Sequence, residues 1–528
     1  MFKKQKGSVL PYAVALMISM GLLGQYVFNA NKTANEATRL QNTTDAAAYS
    51  VATVYAQNLN FIALSNRSLV ANQISMAQLV TIVSWTRMLV TMAETVNDIG
   101  QFIPYVNAVT RFIDKVAQVV SKGLERIAPW AARITAFYIE GTSRAQQVAV
   151  YGVGPLLISQ EILSEVVKKN DPDVNYSFAQ TQTLIGSAAH MTEIYGPSDC
   201  YGEAEKVRDK KRANQEAITR CRQFRNVTLV SRDGFTASRN YRFKFPLMPS
   251  KLYTPPTFSH GFALYSTVTI ERGGETTMGG DTPAVEKKTP FTTWTAIDTI
   301  SIHQSERYLD IDWPSISLKT SRHEEKVKLG VGHAYVGNEC SRCHHITHEG
   351  SRAWKINPRG SACTDPDSKR GYGSGWKSKN DGAFKIIDVI ALNCGRLSRD
   401  YGKPLYDGRG TGLTPFISLK QEGYVDKAGR IMLYLRKPQN DVETASETLS
   451  MKGKNKLDPT DGAQNNNFHG AAAATATFRR SNDSWMLRTT KRRDGRIEFG
   501  NAYNPLWQAR LDKLTRTERL TLEGMKSI

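Results

Sequence analysis

The beginning of the chain constrains it most. Residues Ser8 to Ala30 (SVLPYAVALMISMGLLGQYVFNA) run for 23 residues without a charge, directly behind Lys3, Lys4 and Lys6. At about 1.5 Å per residue, a helix of that length crosses the roughly 30 Å hydrocarbon layer of a bilayer. Cationic residues stay on the cytoplasmic side, so the expectation is a single transmembrane helix from Ser8 to Ala30, with everything after Asn31 exported. A cleaved secretory signal is the rival reading, but its apolar core runs to about 7 to 15 residues. Val27 to Asn31 also offers a poor small-x-small cleavage site. Pro11 falls in the first turn, where its missing N–H removes little. A mean hydropathy of -0.40 excludes a polytopic membrane protein.

Helix-compatible sequence continues past the span. From Asn31 to Val80 there is neither Pro nor Gly, and Ala34, Ala37, Leu40, Ala47, Val51, Val54 and Leu59 recur mostly at intervals of three to five. That spacing gives one apolar and one polar face. Thr43, Thr44 and Asp45 before the alanine run could cap a new helix, which leaves one long rod and two stacked helices both open. Ser68 to Thr86 is uncharged but carries Asn72, Gln73, Ser75 and Gln78, and reads as a packed helix rather than a second span. Ile99-Gly100 with Pro104, and Pro129, are expected breaks, and Gly152 to Pro155 opens a last helical segment.

At 528 residues the chain exceeds what one core can fill. Asn170-Asp171-Pro172-Asp173 follows the Lys168-Lys169 end of a helix and is the expected boundary. The expected organisation is a leader and span over 1–30, an exported helical region over 31–170, and a strand-rich domain over 171–528. Strands are expected at Asn226 to Ser231, Leu264 to Glu271, Phe291 to His303, Phe384 to Leu392 and Arg430 to Arg436. Gly273-Gly274 and Lys427 to Gly429 read as turns, and Lys452 to Asn467 with the Ala471 to Ala474 run reads as an exposed loop. The fold class is therefore α+β. The formal charge of +20 favours anionic partners, and +14 of it lies beyond residue 170.

Gly7 at the end of the basic leader, the apolar span, Leu40-Gln41-Asn42 and Asp45-Ala46-Ala47-Ala48 resemble the N-terminal segment of the TadG-like proteins of the tight-adherence (Flp) pilus system. Asn504 to Leu511 is similar to a C-terminal signature of some of them. The resemblance covers about a tenth of the chain. It implies a non-enzymatic, single-pass component of pilus assembly in the bacterial inner membrane, either scaffold or minor pilus subunit, with the N-terminus cytoplasmic. The implied partners are pilus-assembly membrane proteins or pilins, packing on the Ala-rich helical face, with no small-molecule substrate and no cofactor. An adhesin, or a tip subunit binding nucleic acid or another anionic ligand, is the alternative, and an envelope redox or metal protein using Cys340, Cys343 and His344 is a further one. Tyr12 stands where prepilin-peptidase substrates usually carry Glu, so cleavage after Gly7 is left open. No Asp-x-Ser-x-Ser pentad is present, so the metal site of the family's von Willebrand A domains is not carried over.

The six cysteines admit three chemistries. Cys340-Ser341-Arg342-Cys343-His344 fits the haem attachment motif, and Cys340 and Cys343 with two of His344, His345, His348, Cys363 and Cys394 could hold zinc. In an oxidising compartment disulfides are the expectation: Cys200 with Cys221, and Cys340, Cys343, Cys363 and Cys394 among themselves. Enzyme signatures are fragmentary. Ser374 and Lys377 lack their companion motifs, His348-Glu349 lacks a second His, and Gly371 to Gly375 lacks the Gly-Lys pair of a phosphate loop. Glu203 to Arg225, with eight cations including Lys206, Arg212, Arg220 and Arg225, reads as a solvated helix or as a patch for an anionic partner.

Overall fold

The computed structural model describes residues 9–100, 106–151, 153–174, 195–198, 214–247, 262–278, 294–312, 317–336, 345–349, 352–357, 416–419, 427–438, 467–478 and 500–525, with the single positions 200, 206, 212 and 405. Its helices are α1 (Leu10–Gly100), α2 (Val106–Tyr151), α3 (Val153–Asn170), α4 (Gln215–Val230), the single turn α5 (Gly234–Ala237) and α6 (Arg516–Met525). Its strands are β1 (Tyr195–Ser198), β2 (Tyr241–Leu247), β3 (Phe262–Met278), β4 (Trp294–Asp312), β5 (Ser317–Val336), β6 (His345–Glu349), β7 (Arg352–Asn357), β8 (Phe416–Leu419), β9 (Lys427–Pro438), β10 (Asn467–Phe478) and β11 (Trp507–Asp512). A long apolar N-terminal helix followed by sheets makes the protein α+β.

α1 is one uninterrupted helix of 91 residues. Thr43 and Thr44 do not cap a new one; their hydroxyls donate to the carbonyls of Arg39 and Leu40 one turn earlier, which leaves the helical bonds in place. α1 is described as far as Gly100; the break expected at Pro104 lies outside the described residues. Pro129, by contrast, lies inside α2 and does not end it. It removes a single donor, and the buried Ala128, Ala132 and Ala136 around it hold the helical register.

Two compact units draw on separated stretches of chain. The first comprises 1–64, 146–196 and 417–528, the second 65–145 and 197–416. In the first, an antiparallel sheet in the order β11-β10-β9 covers one face of α1 and part of α3. Leu40, Ala47, Ala48, Val51, Ala52, Tyr55, Ala56, Leu59 and Ile62 of α1 meet Leu163 and Val167 of α3. Against them pack Ile431, Leu433 and Leu435 of β9 and Phe468, Ala472, Ala474, Ala476 and Phe478 of β10. The alanine run expected as an exposed loop is thus the central strand. Its small side chains face the small face of α1 and let helix and sheet approach closely. Gly470 marks the tightest point, since a Cβ there would overlap Thr44 Oγ1 and lie 3.1 Å from Leu40 Cγ.

Lys427 to Gly429 is also not a turn. It begins β9, where Gly429 (φ 63°) and Arg430 lie opposite the single Thr475 in a bulge.

The second unit repeats the construction with residues from Ser65 onward of α1 and the antiparallel sheet β2-β3-β4-β5. β4 and β5 pair from Trp294↔Val336 to Asp312↔Ser317, with a bulge at Ile300/Ser301. Gly332 of β5 lies directly on α1, where a Cβ would overlap the Ser84 carbonyl, and Ser84 Oγ donates to the Gly332 carbonyl at 3.1 Å. Gly273-Gly274, expected as a turn, lies within β3. A Cβ on Gly274 would overlap Asp298, so this glycine makes room for a buried ion pair.

Asn226 to Ser231, expected as a strand, is the end of α4 and its C-cap. The Asn214 side chain accepts from the N–H groups of Glu216 and Ala217, and Thr228 bonds back to Phe224; cap and helix override the local preference of Val and Thr for strands. Cys200 and Cys221 form a disulfide that ties this helix, with Cα atoms 5.7 Å apart.

Candidate functional site

The first part of α1 presents apolar side chains on all sides. Leu10, Leu16, Met17, Ile18, Met20, Leu23 and Phe28 are each more than half exposed, and this is the described helix long and apolar enough to cross a membrane. A helix that is apolar all round is stable in lipid or among other apolar helices, not in water. The character changes at Asn29, which is buried, and from Leu40 onward one face belongs to the core.

The family-like motif sits just past that change. Gln41 uses both ends of its amide on one strand residue: Nε2 donates to the Ala471 carbonyl at 2.9 Å, and Oε1 accepts from the Ala471 N–H at 3.3 Å. The same Nε2 reaches Asp45 Oδ1 at 2.9 Å. Pairing of β10 with β11 begins only at Ala473, so Gln41 satisfies backbone groups that lie beyond the end of β11. Asn60 does the same at Trp507, donating to its carbonyl at 3.0 Å and accepting from its N–H at 2.9 Å.

Leu40, Gln41, Asp45, Ala47 and Ala48 and the closing Asn504 to Leu511 segment therefore meet in one unit, although more than 400 residues separate them. Asn42 is exposed and Ala46 half-buried. The Ala47 and Ala48 face, expected to receive partner helices, is fully occupied by the chain's own sheet.

Charge is concentrated beside this junction. Lys437 continues the inward phase of Ile431, Leu433 and Leu435 and is 1% exposed. Its Nζ meets Glu36 at 2.8 Å, both oxygens of the buried Asp171 at 3.0 and 3.1 Å, and Asp173 at 3.3 Å. Burial disfavours the ammonium, but hydrogen bonds and charge from Glu36 and Asp171 outweigh it and raise its pKa above the ordinary lysine value. One side chain thereby joins α1, the end of α3 and β9. Toward the other end of β9, Arg430 forms a fork with Glu518 and also bonds Asp512. Its hydrogen bond holds Glu518 down at about 2. Thr515 and Glu518 bond each other's backbone N–H reciprocally and open α6 as a capping box.

In the second unit Arg239 and Asp298, both buried, pair at 2.6 and 3.1 Å, and Arg239 also donates to Thr276, whose hydroxyl meets Thr81 of α1 at 2.6 Å. Burial pushes the Asp298 carboxyl up while the guanidinium opposes it. Every polar member is engaged, which suits holding a helix on a sheet. The outer strand β2 differs, for Tyr241, Phe243 and Phe245 form an exposed aromatic row, while Arg242, paired with Glu271 at 3.4 Å, and Lys244 alternate to the opposite face.

Of the sequence-predicted residues, Cys340, Cys343, His344, Cys363, Cys394, Ser374, Lys377, the 371–375 glycines, the strand at 384–392, the polar stretch 452–466 and the leader through Ser8 lie outside the described residues. So do the side chains of His345 and His348. Of the basic segment, Arg220 is buried against Glu216 and Arg225 donates to the Met278 carbonyl, while Arg222 is exposed. Among the described residues no three His, Cys, Asp or Glu side chains group as a metal site. Sequence reading missed Lys437, whose signal was its place in the inward phase of a strand, and Asn60, which carried none. Comparison with protein-family models, with curated proteins and with solved structures finds no match to this chain.

Proposed function

We propose that the protein is a non-enzymatic, single-pass component of a bacterial envelope assembly of the tight-adherence pilus type, anchored in the inner membrane with its N-terminus cytoplasmic. The observation that carries this reading is the course of α1. An exposed apolar stretch passes without a break into a helix face that forms the core of a sheet. Such a helix fixes a folded body to lipid or to apolar helices of an assembly without a flexible linker. The Gln41 bonds to β10 give the family-like motif a mechanical role, holding the exported end of the anchor helix to the body. Pilins or other membrane proteins of the apparatus are its partners in this reading.

Membrane fractionation tests it. The intact chain should stay with the inner membrane after carbonate extraction, and residues beyond Asn31 should be open to protease in spheroplasts. A soluble mature chain beginning near Asn31 would overturn the anchor.

A second reading, an adhesin or anion-binding tip subunit, draws on the exposed aromatic row of β2. Aromatic platforms suit the stacking of nucleic acid bases. Gel-shift titration with single-stranded DNA, compared between wild type and Phe243→Ala/Phe245→Ala, separates the two readings.

A further inference from the structure

α2 buries one face through Ser121, Ala128, Ala132, Ala136 and Ile139. Its opposite face carries Val116, Val120, Gly123, Ile127, Trp130, Ile134, Phe137 and Gly141, which follow one another at strictly alternating steps of four and three. The six larger residues of that row are all exposed, Trp130 at 66% and Phe137 at 75%. A 4-3 row is the seam by which one helix receives another, and a helix that only needs solvent on this face has no reason to keep it apolar. Among the described residues, no atom other than the helix's own adjacent backbone lies within 4 Å of where a Cβ on Gly123 or Gly141 would stand, so both positions are open recesses in the seam. Small residues at such points let a second helix come close.

The flanks of the seam say what that helix carries. Lys115, Lys122, Arg126 and Arg133 each stand one residue before a seam position and are exposed. At about 100° per residue they form one ridge along a single flank. The residue after every seam position is uncharged. Glu125 turns to Arg87 at 3.2 Å, and Glu140, the one acid on this flank, stands before Gly141 at its end and pairs with Arg144 at 2.8 Å.

A lipid surface would be met best by cations on both flanks. A second copy would set this ridge against itself when antiparallel, and against an uncharged flank when parallel. An acidic edge complements it directly, and arginine takes carboxylates in paired hydrogen bonds.

We infer that the Val116 to Gly141 face of α2 seats an amphipathic helix of a partner protein, whose apolar stripe is bordered on one side by Asp and Glu. The inference deepens the assembly reading and rests on it for the existence of a partner, but does not depend on the membrane span.

The test uses the full chain in phosphatidylcholine nanodiscs and two labelled synthetic helices with the same Leu/Ala 4-3 stripe, one edged with Glu and one with Lys. Fluorescence anisotropy should show the Glu-edged helix binding at least tenfold more tightly. Arg126→Glu/Arg133→Glu should reverse the preference, and Ile134→Asp should abolish binding of both. Hydrogen exchange of β3 and β4 should stay at the wild-type level in each variant, which separates loss of docking from loss of fold. Equal binding of the two helices would overturn the inference. So would Ile134-dependent self-association, or Ile134-dependent capture by phosphatidylglycerol vesicles in place of the Glu-edged helix. Carbonate extraction reads the anchor separately, so either result can fail alone.

Discussion

Replacing Lys437 by Met keeps the length and apolar stem of the side chain and removes only its charge. Asp171, fully buried, then loses the cation that meets both its oxygens, and Glu36, 15% exposed at its side chain, loses its partner at 2.8 Å. Asp173 is half exposed and contributes little. Breaking a buried pair by removing one partner costs about 3 to 5 kcal/mol, because the remaining charge stays buried. At about 1.4 kcal/mol per factor of ten, amides that exchange through opening of this sheet should exchange roughly a hundred- to a few thousandfold faster.

Hydrogen exchange of β9 and β10 measures this, with β3 and β4 of the other unit as the reference in the same molecule. Adding Glu36→Gln and Asp171→Asn should recover most of the loss. Unchanged exchange of β9 and β10 in Lys437→Met would refute the reasoning.

Gln41→Leu strands both backbone groups of Ala471 and should destabilise the first unit by about 1 to 3 kcal/mol in urea unfolding, whereas Asn42→Ala, at an exposed position, should be near neutral. Glu518 is held at about 2 against an ordinary 4.5, so the stability it contributes is present above about 4.5 and lost as the pH falls toward 2. Acid unfolding of Glu518→Gln, followed by circular dichroism, should therefore lose that part of its pH slope. Gly332→Val forces β5 from Ser84 of α1 and should lower the melting temperature of the second unit, as over-packing by about 1 to 3 kcal/mol would.

The helices were legible because each of their signals is local. Asn170 with Pro172 ends α3 where the sequence reading put the end, and the Leu264, Phe291 and Arg430 strands show alternation over their own length. The misreadings share a cause. Alanine has little strand preference, so Ala471 to Ala474 becomes a strand only because β9, β11 and the alanine face of α1 surround it. Gly273-Gly274 looks like a turn until Arg239 and Asp298, distant in the sequence, claim the space of a side chain. A division of the chain at Asn170 marks the end of α3. A linear reading cannot express units that each combine an early helix with a late sheet. The motif residues were found by resemblance, but the role of Gln41 needed its partner, 430 residues downstream.

That separation sets a timetable for biogenesis. At about 5 to 20 residues per second, the ribosome needs roughly 20 to 90 s after making Gln41 to reach Ala471. Throughout that interval the face from Leu40 to Ile62 has emerged without the strands that cover it. A nascent chain in this state exposes apolar surface to whatever aggregates or cleaves, and a chaperone or a neighbouring protein must shield it. A chain that stops short of Trp507 never obtains its covering sheet in full, whatever the quality of its earlier parts. Completion of synthesis is thus a checkpoint: only finished molecules can cover this face of α1 and protect it from proteolysis.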